Sequence, residues 1–137
     1  MKNLKTISII LGCLQIFIAI GAIPAGIGYL MDTSGAKLGV TPELLKDSPL
    51  DSFLLPGLFL LLINGIATAA GGVLSFLRHR YAGLATLILG NILILWIIIQ
   101  VAWIGMISFM QPMFFCIGII EAILGFYLMR SRQTLRQ

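Results

Sequence analysis

Charged residues are scarce in this sequence. Only 10% of its 137 residues are Asp, Glu, Lys or Arg, whereas 59% are hydrophobic, and the mean hydropathy is +1.06. A soluble domain of this length carries roughly 25% charged residues, because they cover its surface. The composition therefore excludes an ordinary soluble domain and indicates a protein that resides in a membrane.

Histidine and cysteine are nearly absent, which removes most catalytic and metal-binding chemistry. The one histidine, His79, lies between two arginines, and the two cysteines, Cys13 and Cys116, fall inside different apolar segments. The sequence has no HExxH motif, no Ser–His pairing and no phosphate-binding glycine loop. We therefore expect a non-enzymatic protein with no catalytic residue, metal or other cofactor, and interpret the cysteines as small packing residues.

The few charges are clustered, so that long segments have none. These uncharged segments are residues 6–31, 52–77 and 81–120. About 20 apolar residues in a helix cross a hydrocarbon core of about 30 Å. The sequence thus predicts four transmembrane helices, over residues 6–30, 54–77, 81–104 and 112–129. We expect a single all-α membrane domain over residues 1–137, folded as an up-down four-helix bundle.

The basic residues fall on one side of the predicted membrane. Seven of the nine Lys and Arg residues precede the first helix, join the second to the third or follow the fourth: Lys2, Lys5, Arg78, Arg80, Arg130, Arg132 and Arg136. Cytoplasmic segments are enriched in Lys and Arg, so both termini are predicted in the cytoplasm and the loop 31–53 outside. The excess of Lys and Arg over Asp and Glu then reflects membrane orientation and lipid contact, and we expect no nucleic-acid partner.

The N-terminus allows a second interpretation. The stretch "MKNLKTISIILGC" combines lysines, an apolar run and Cys13, as in a bacterial lipoprotein signal. However, "LQIFIAIGAI" continues the apolar run directly, and the run is too long for the core of a cleavable signal. We therefore expect an uncleaved first helix.

The outer loop, residues 31–53, is the one sizeable segment outside the predicted membrane. "TPELL" predicts a short helix with Thr41 as its N-cap and Pro42 in its first position. Three leucines are expected to face the bundle: Leu44, Leu45 and Leu50. The loop could cap a cavity or receive a partner, or it could be an ordinary ordered connection, which is the interpretation we favour.

Small residues recur on one face of each predicted helix. At about 100° per residue, the stripes include Gly12, Ala19, Gly71, Gly83, Gly90, Gly118 and Gly125. Small residues let membrane helices approach closely, since no water is present to drive their association. These positions are predicted to be helix-packing residues.

Polar side chains are predicted at similar depths inside the helices. Glu121 lies roughly 13 Å along its helix from Arg130, near the midplane, and Gln15, Asn64 and Asn91 lie at comparable depths. Asn91 is about 80–100° from its helix's stripe. A carboxylate at the midplane costs at least about 2.5–3.5 kcal/mol, so Glu121 should be protonated, hydrogen-bonded or in contact with water. We interpret the layer as a proton or ligand site; a structural hydrogen bond is the alternative.

One stretch resembles a known pattern. "SGAKLGVTPELLKDSPLDSFLLPGLFLL" is similar to the outer loop and following helix of small four-helix bacterial membrane proteins of uncharacterised function, through the elements "SG..LG", "LL..SP" and "FLLPGL". In size and bundle architecture alone, the chain also resembles the DoxX-like proteins. The resemblance implies a bacterial plasma membrane and brings no catalytic residue with it.

These observations lead to three hypotheses of function. The first is a non-enzymatic membrane protein that acts as a homo-oligomer or as an accessory subunit of a membrane complex. The second is a proton-linked transporter or channel in which Glu121 titrates and Gln15, Asn64 and Asn91 line the site. The third is a binder or enzyme for a lipid- or quinone-type ligand that enters beneath the outer loop. All three take the lipid bilayer as the protein's surroundings.

Overall fold

The chain folds into four long helices in a computed structural model that describes residues 2–36, 39–46, 48–106 and 109–136. All regular structure in those ranges is helical. The long helices are α1 (Lys2–Met31), α2 (Leu54–Phe76), α3 (Ala82–Ile104) and α4 (Met110–Arg136). Each contains a span long and apolar enough to cross a membrane. The predicted all-α, four-helix membrane bundle is therefore confirmed.

The helices differ from their predicted bounds mainly at the ends. α1 already begins at Lys2, and α4 continues past its apolar segment to Arg136. Lys, Arg, Gln and Leu are good helix formers, so the helices extend beyond the apolar residues that revealed them. α4 also begins at Met110, which puts Pro112 third rather than first in that helix.

The helices pack as two hairpins. α1 lies along α2, α3 lies along α4, and the hairpins meet where α1 contacts α4 and where α2 contacts α3. A tight turn joins the hairpins at Arg78, whose φ of 56° is left-handed. There the His79 amide donates to the Leu74 carbonyl oxygen at 2.9 Å, which satisfies a carbonyl at the end of α2.

Glycines bring α3 and α4 into backbone contact. A Cβ atom added at Gly83 would lie 2.7 Å from the Met129 amide nitrogen, and one at Gly90 would lie 2.8 Å from that of Ala122. The contact is reciprocal, since a Cβ at Gly125 would lie 2.7 Å from the Leu87 nitrogen. Real Cβ atoms do not approach backbone this closely, so only glycine permits this separation of the two helices.

α2 contains a π-helical segment, which the sequence pattern did not predict. The segment is Leu60–Ala67, between α-helical turns. Gly57 and Gly65 face α1: a Cβ at Gly57 would lie 2.8 Å from Tyr29, and a Cβ at Gly65 would lie 2.6 Å from Ile23. Gly57 and Gly65 are about one residue farther apart than two α-helical turns. Because a π turn contains one more residue than an α turn, both glycines still lie on the same face of α2.

The outer loop is fixed on the mouth of the bundle, which we call the cap end; the opposite end carries the termini. Its short helix is a 3₁₀ turn, Pro42–Leu45. Thr41 lies at the predicted N-cap position in an extended conformation, but its side chain makes no capping hydrogen bond. Leu45 and Phe53 are each only 4% exposed, and Phe53 stacks on Tyr29 with ring centroids 4.8 Å apart. Lys37, Asp47 and the Leu44 side chain lie outside the described residues.

Gly90→Ala is expected to destabilise the bundle by about 1–3 kcal/mol, because α3 and α4 must separate to admit the new Cβ. Unfolding in mixed detergent and SDS, followed by circular dichroism, measures this free energy. Gly21→Ala is the matched control in α1, since its Cβ would meet only Phe114 Cζ at 3.8 Å. Equal losses in the two variants would contradict the backbone contact.

Candidate functional site

The polar residues inside the bundle form two groups rather than one layer. Gln15 and Glu121 belong to a group in the middle and terminal half of the bundle, together with Ser75 and Thr86. Asn64 belongs to a second group, which lines a cavity toward the cap end. The predicted layer therefore divides by depth, and the two groups have different surroundings.

A hydrogen-bonded network, which we call the inner network, joins three helices. The Gln15 side-chain nitrogen Nε2 donates to Thr86 Oγ1 at 3.0 Å, and Ser75 Oγ donates to Gln15 Oε1 at 3.0 Å. All three side chains are fully buried. Gly71 leaves room for the amide, because a Cβ there would lie 2.9 Å from Gln15 Nε2. The inner network thus ties the α1–α2 hairpin to α3.

Glu121 lies on the glycine seam between α3 and α4. It is 1% exposed, and a Cβ added at Gly90 would lie 3.0 Å from the Glu121 Cβ. Its Oε1 atom is buried and has no hydrogen-bond partner among the described residues. Gly90 lies one helical turn from Thr86, so Glu121 and Gln15 contact the same turn of α3. The carboxyl group is therefore buried beside the turn of α3 that carries Thr86 of the inner network.

The second group surrounds a cavity of about 250 Å³ between all four helices. Its floor is formed by Ile18, Asn64 and Leu93, the lining residues of α1, α2 and α3 that lie farthest from the cap end, whereas Phe114 of α4 lies nearer that end. Asn64 is 3% exposed, and its amide nitrogen Nδ2 is buried without a hydrogen-bond partner among the described residues. A mostly apolar cavity with one such donor on its floor has the composition of a small-molecule site.

The cap end of the cavity is more polar than its floor. There the Gln111 Nε2 donates to Gln100 Oε1 and to the Gly105 carbonyl oxygen, each at 3.2 Å. A second cavity of about 70 Å³ lies beneath Leu45, Leu50 and Phe53 of the loop. The two cavities share lining residues: Tyr29, Leu60, Trp96, Gln100 and Ile104. The loop therefore covers the smaller cavity, which adjoins the larger one, rather than only connecting two helices.

Asn91 does not belong to either group, so the prediction that it lies in the buried layer is wrong. The side chain is exposed on the outside of the bundle, and its Nδ2 donates to the Leu87 carbonyl oxygen of the same helix at 2.8 Å. That local bond satisfies the amide without a partner helix. Cys13 and Cys116 are likewise exposed on the surface rather than packed inside.

Some residues of the two groups were not predicted to belong to a polar site, although helical spacing puts Ser75 and Thr86 on the inward stripes of their helices. Ser75 and Thr86 are small enough to belong to the small-residue stripes, and their hydroxyl groups were the available signal for the inner network. Gln100 and Gln111 lie near the ends of α3 and α4, where polar residues are common in any membrane helix and therefore carry little information.

The Gln15–Thr86 bond is expected to contribute a coupling free energy of about 0.6–1.7 kcal/mol, the range measured for interhelical bonds in membranes. A double-mutant cycle of Gln15→Leu and Thr86→Val, measured by unfolding in SDS, isolates this value. Gln15→Leu combined with Asn91→Leu is the control, and its effects should add, because Asn91 bonds only its own helix among the described contacts. Additive effects in the Gln15–Thr86 cycle as well would contradict the network.

The described residues contain no group of three or more His, Cys, Asp or Glu side chains placed to hold a metal ion. Comparisons of the chain with protein-family models, curated proteins and solved structures gave no match. The resemblances to small four-helix bacterial proteins and to DoxX-like proteins thus stay predictions, and function is argued from the geometry of the two polar groups.

Proposed function

We propose that this integral membrane protein binds a lipid-like molecule in the cap-side cavity. The observation that carries the proposal is the unpartnered Asn64 amide on the floor of a cavity of about 250 Å³. An apolar protein cavity of about 150 Å³ already binds benzene, so this one has room for a larger group. The charge asymmetry of the loops supports an orientation with both termini in the cytoplasm, and the resemblance of the outer loop to bacterial proteins is the ground for a bacterial plasma membrane.

The structure gives less support than the sequence did for association with a second copy or another subunit. It was motivated by the small-residue stripes, yet many of those glycines contact helices of the same chain: Gly12, Gly71, Gly83, Gly90, Gly118 and Gly125. A glycine that already packs against a helix of its own chain is not available for packing against another chain. Oligomerisation stays a prediction that rests on the small mass outside the membrane.

Ala22→Leu is expected to displace the bound lipid, because Ala22 is 7% exposed and lines the cavity. Steric overlap of roughly 1–3 kcal/mol corresponds to a loss of about 5- to 150-fold in lipid affinity, so the occupied fraction falls when lipid is limiting. Native mass spectrometry of the purified protein measures the occupancy. Ala70→Leu is the matched control, since Ala70 is exposed on the outside of α2. Undiminished lipid in Ala22→Leu would overturn the proposal.

A second candidate function is proton-linked transport through Glu121. The specific observation in its favour is the buried, unpartnered Oε1 atom beside the inner network. A lone intramembrane acid marks a proton relay in many transporters and pumps. This candidate differs from the first in location, because the residues that line the cap-side cavity do not include Glu121.

Glu121→Gln is expected to abolish proton uptake, because an amide cannot exchange the proton that a carboxyl group carries. Proteoliposomes loaded with a pH-sensitive dye, under a potassium diffusion potential, measure the uptake. Asn91→Leu, on the outside of the bundle, should keep the native rate. Uptake that persists in Glu121→Gln, or that is absent from the native protein, would exclude this role.

A further inference from the structure

The walls of the cavity are neutral. Its lining residues include no Asp, Glu, Lys, Arg or His, and neither do those of the smaller cavity beneath the outer loop. A charged group that leaves water for such surroundings loses far more hydration energy than hydrogen bonds to amides and hydroxyls return. The walls therefore favour a neutral ligand over a fatty acid anion or a charged headgroup.

The floor of the cavity offers a hydrogen-bond donor. Asn64 and Asn91 are the same residue type in neighbouring helices, but Asn91 Nδ2 reaches the Leu87 carbonyl oxygen one turn away. Asn64 lies in the π-helical segment, and its Nδ2 makes no such bond. A buried amide N–H without an acceptor costs about 1–3 kcal/mol, which an acceptor oxygen on a ligand would recover.

The opening of the cavity is on the side that faces the membrane. Gly21 on α1 and Met110 on α4 both line the cavity and are both exposed on the outside of the bundle. Between them stands Phe114, whose ring lies 6.1 Å from that of Phe17. Gly21 lies within the membrane span Leu4–Met31, so the gap between α1 and α4 at this depth leads from lipid rather than from water. A molecule dissolved in the bilayer therefore has the more direct route.

If the cavity binds a ligand as proposed above, we infer that its occupant is a neutral acylglycerol-type lipid. In the complex the Asn64 side chain rotates so that Nδ2, which is buried next to the floor, faces the cavity and donates a hydrogen bond to one ester carbonyl oxygen. The aromatic rings of Trp96 and Phe114 flank the glycerol ester region, and the acyl chain leaves between α1 and α4 toward the bilayer. The polar side chains nearer the cap end, Gln100 and Gln111, lie within the same cavity for the free hydroxyl groups.

The test uses the fluorescence of Trp96, which lines the cavity. The chain has two tryptophans, so Trp103→Phe leaves Trp96 as the single reporter. Three probes of equal chain length are titrated into the detergent-solubilised protein. Two are brominated near the polar end, a monoacylglycerol and the corresponding fatty acid as its anion. The third is a bromoalkane. We expect saturable quenching by the monoacylglycerol at roughly 3- to 10-fold lower concentration than by the alkane, the value of one hydrogen bond.

Asn64→Leu in the same background removes the donor while keeping a similar side-chain shape. The monoacylglycerol should then lose roughly 3- to 10-fold in affinity, and the alkane should lose none. Equal affinities for ester and alkane in the unsubstituted cavity, or tighter binding of the fatty acid anion, would overturn the inferred class while leaving lipid binding intact. The absence of saturable quenching by all three probes would remove the proposed function itself. The comparison of probes decides the question even where Asn64→Leu fails to fold.

Discussion

Backbone contact at glycine is the constraint on which the remaining structure depends. Lipid provides no hydrophobic force between helices, so membrane helices associate through close packing and hydrogen bonds. Gly83, Gly90 and Gly125 bring α3 against α4, and Gly26 and Gly57 bring α1 against α2, where added Cβ atoms would lie 2.7–2.9 Å from the neighbouring helix. Each hairpin is therefore tight in itself, and space for chemistry is left between the hairpins.

The two hairpins are held differently at their two ends. Toward the termini, Gln15 binds Ser75 and Thr86, and a hydrophobic cluster of Leu4, Leu11, Ala82 and Leu128 surrounds that end. Toward the cap end, the cavity replaces such contacts, and the outer loop covers the smaller cavity that adjoins it. Hairpins that are joined at one end and separated at the other produce a binding space without a separate domain. The location of the cavity thus follows from where the hydrogen bonds and the glycines are.

Hydropathy and small-residue periodicity were sufficient to predict the four helices and the inward direction of Glu121, because both depend on the solvent and on helical repeat. They could not predict the π turn in α2. Apolar residues look the same in α- and π-helical turns, and the one clue, the interval between Gly57 and Gly65, gains meaning only from contact with α1. Depth alone placed Asn91 in the polar layer, although its helical angle already put it about 80–100° from the stripe; the structure exposes it, and a local bond satisfies its amide.

An apolar layer separates the two polar groups, and this bears on how their functions relate. Ile18, Leu93 and Ile97 pack together as a buried cluster, supported by Phe114 and Ile117. Gln15 lies about one turn below Ile18, and Glu121 about one turn below Ile117, on the terminal side. A ligand on the cavity floor and a proton on Glu121 are thus separated mainly by apolar side chains, with the buried Thr68 of α2, which bonds the Ile63 carbonyl oxygen, also between them. Any influence of one on the other has to pass through movement of the helices, and the backbone contact of α3 with α4 beside Gly90 is where such movement would change the surroundings of Glu121.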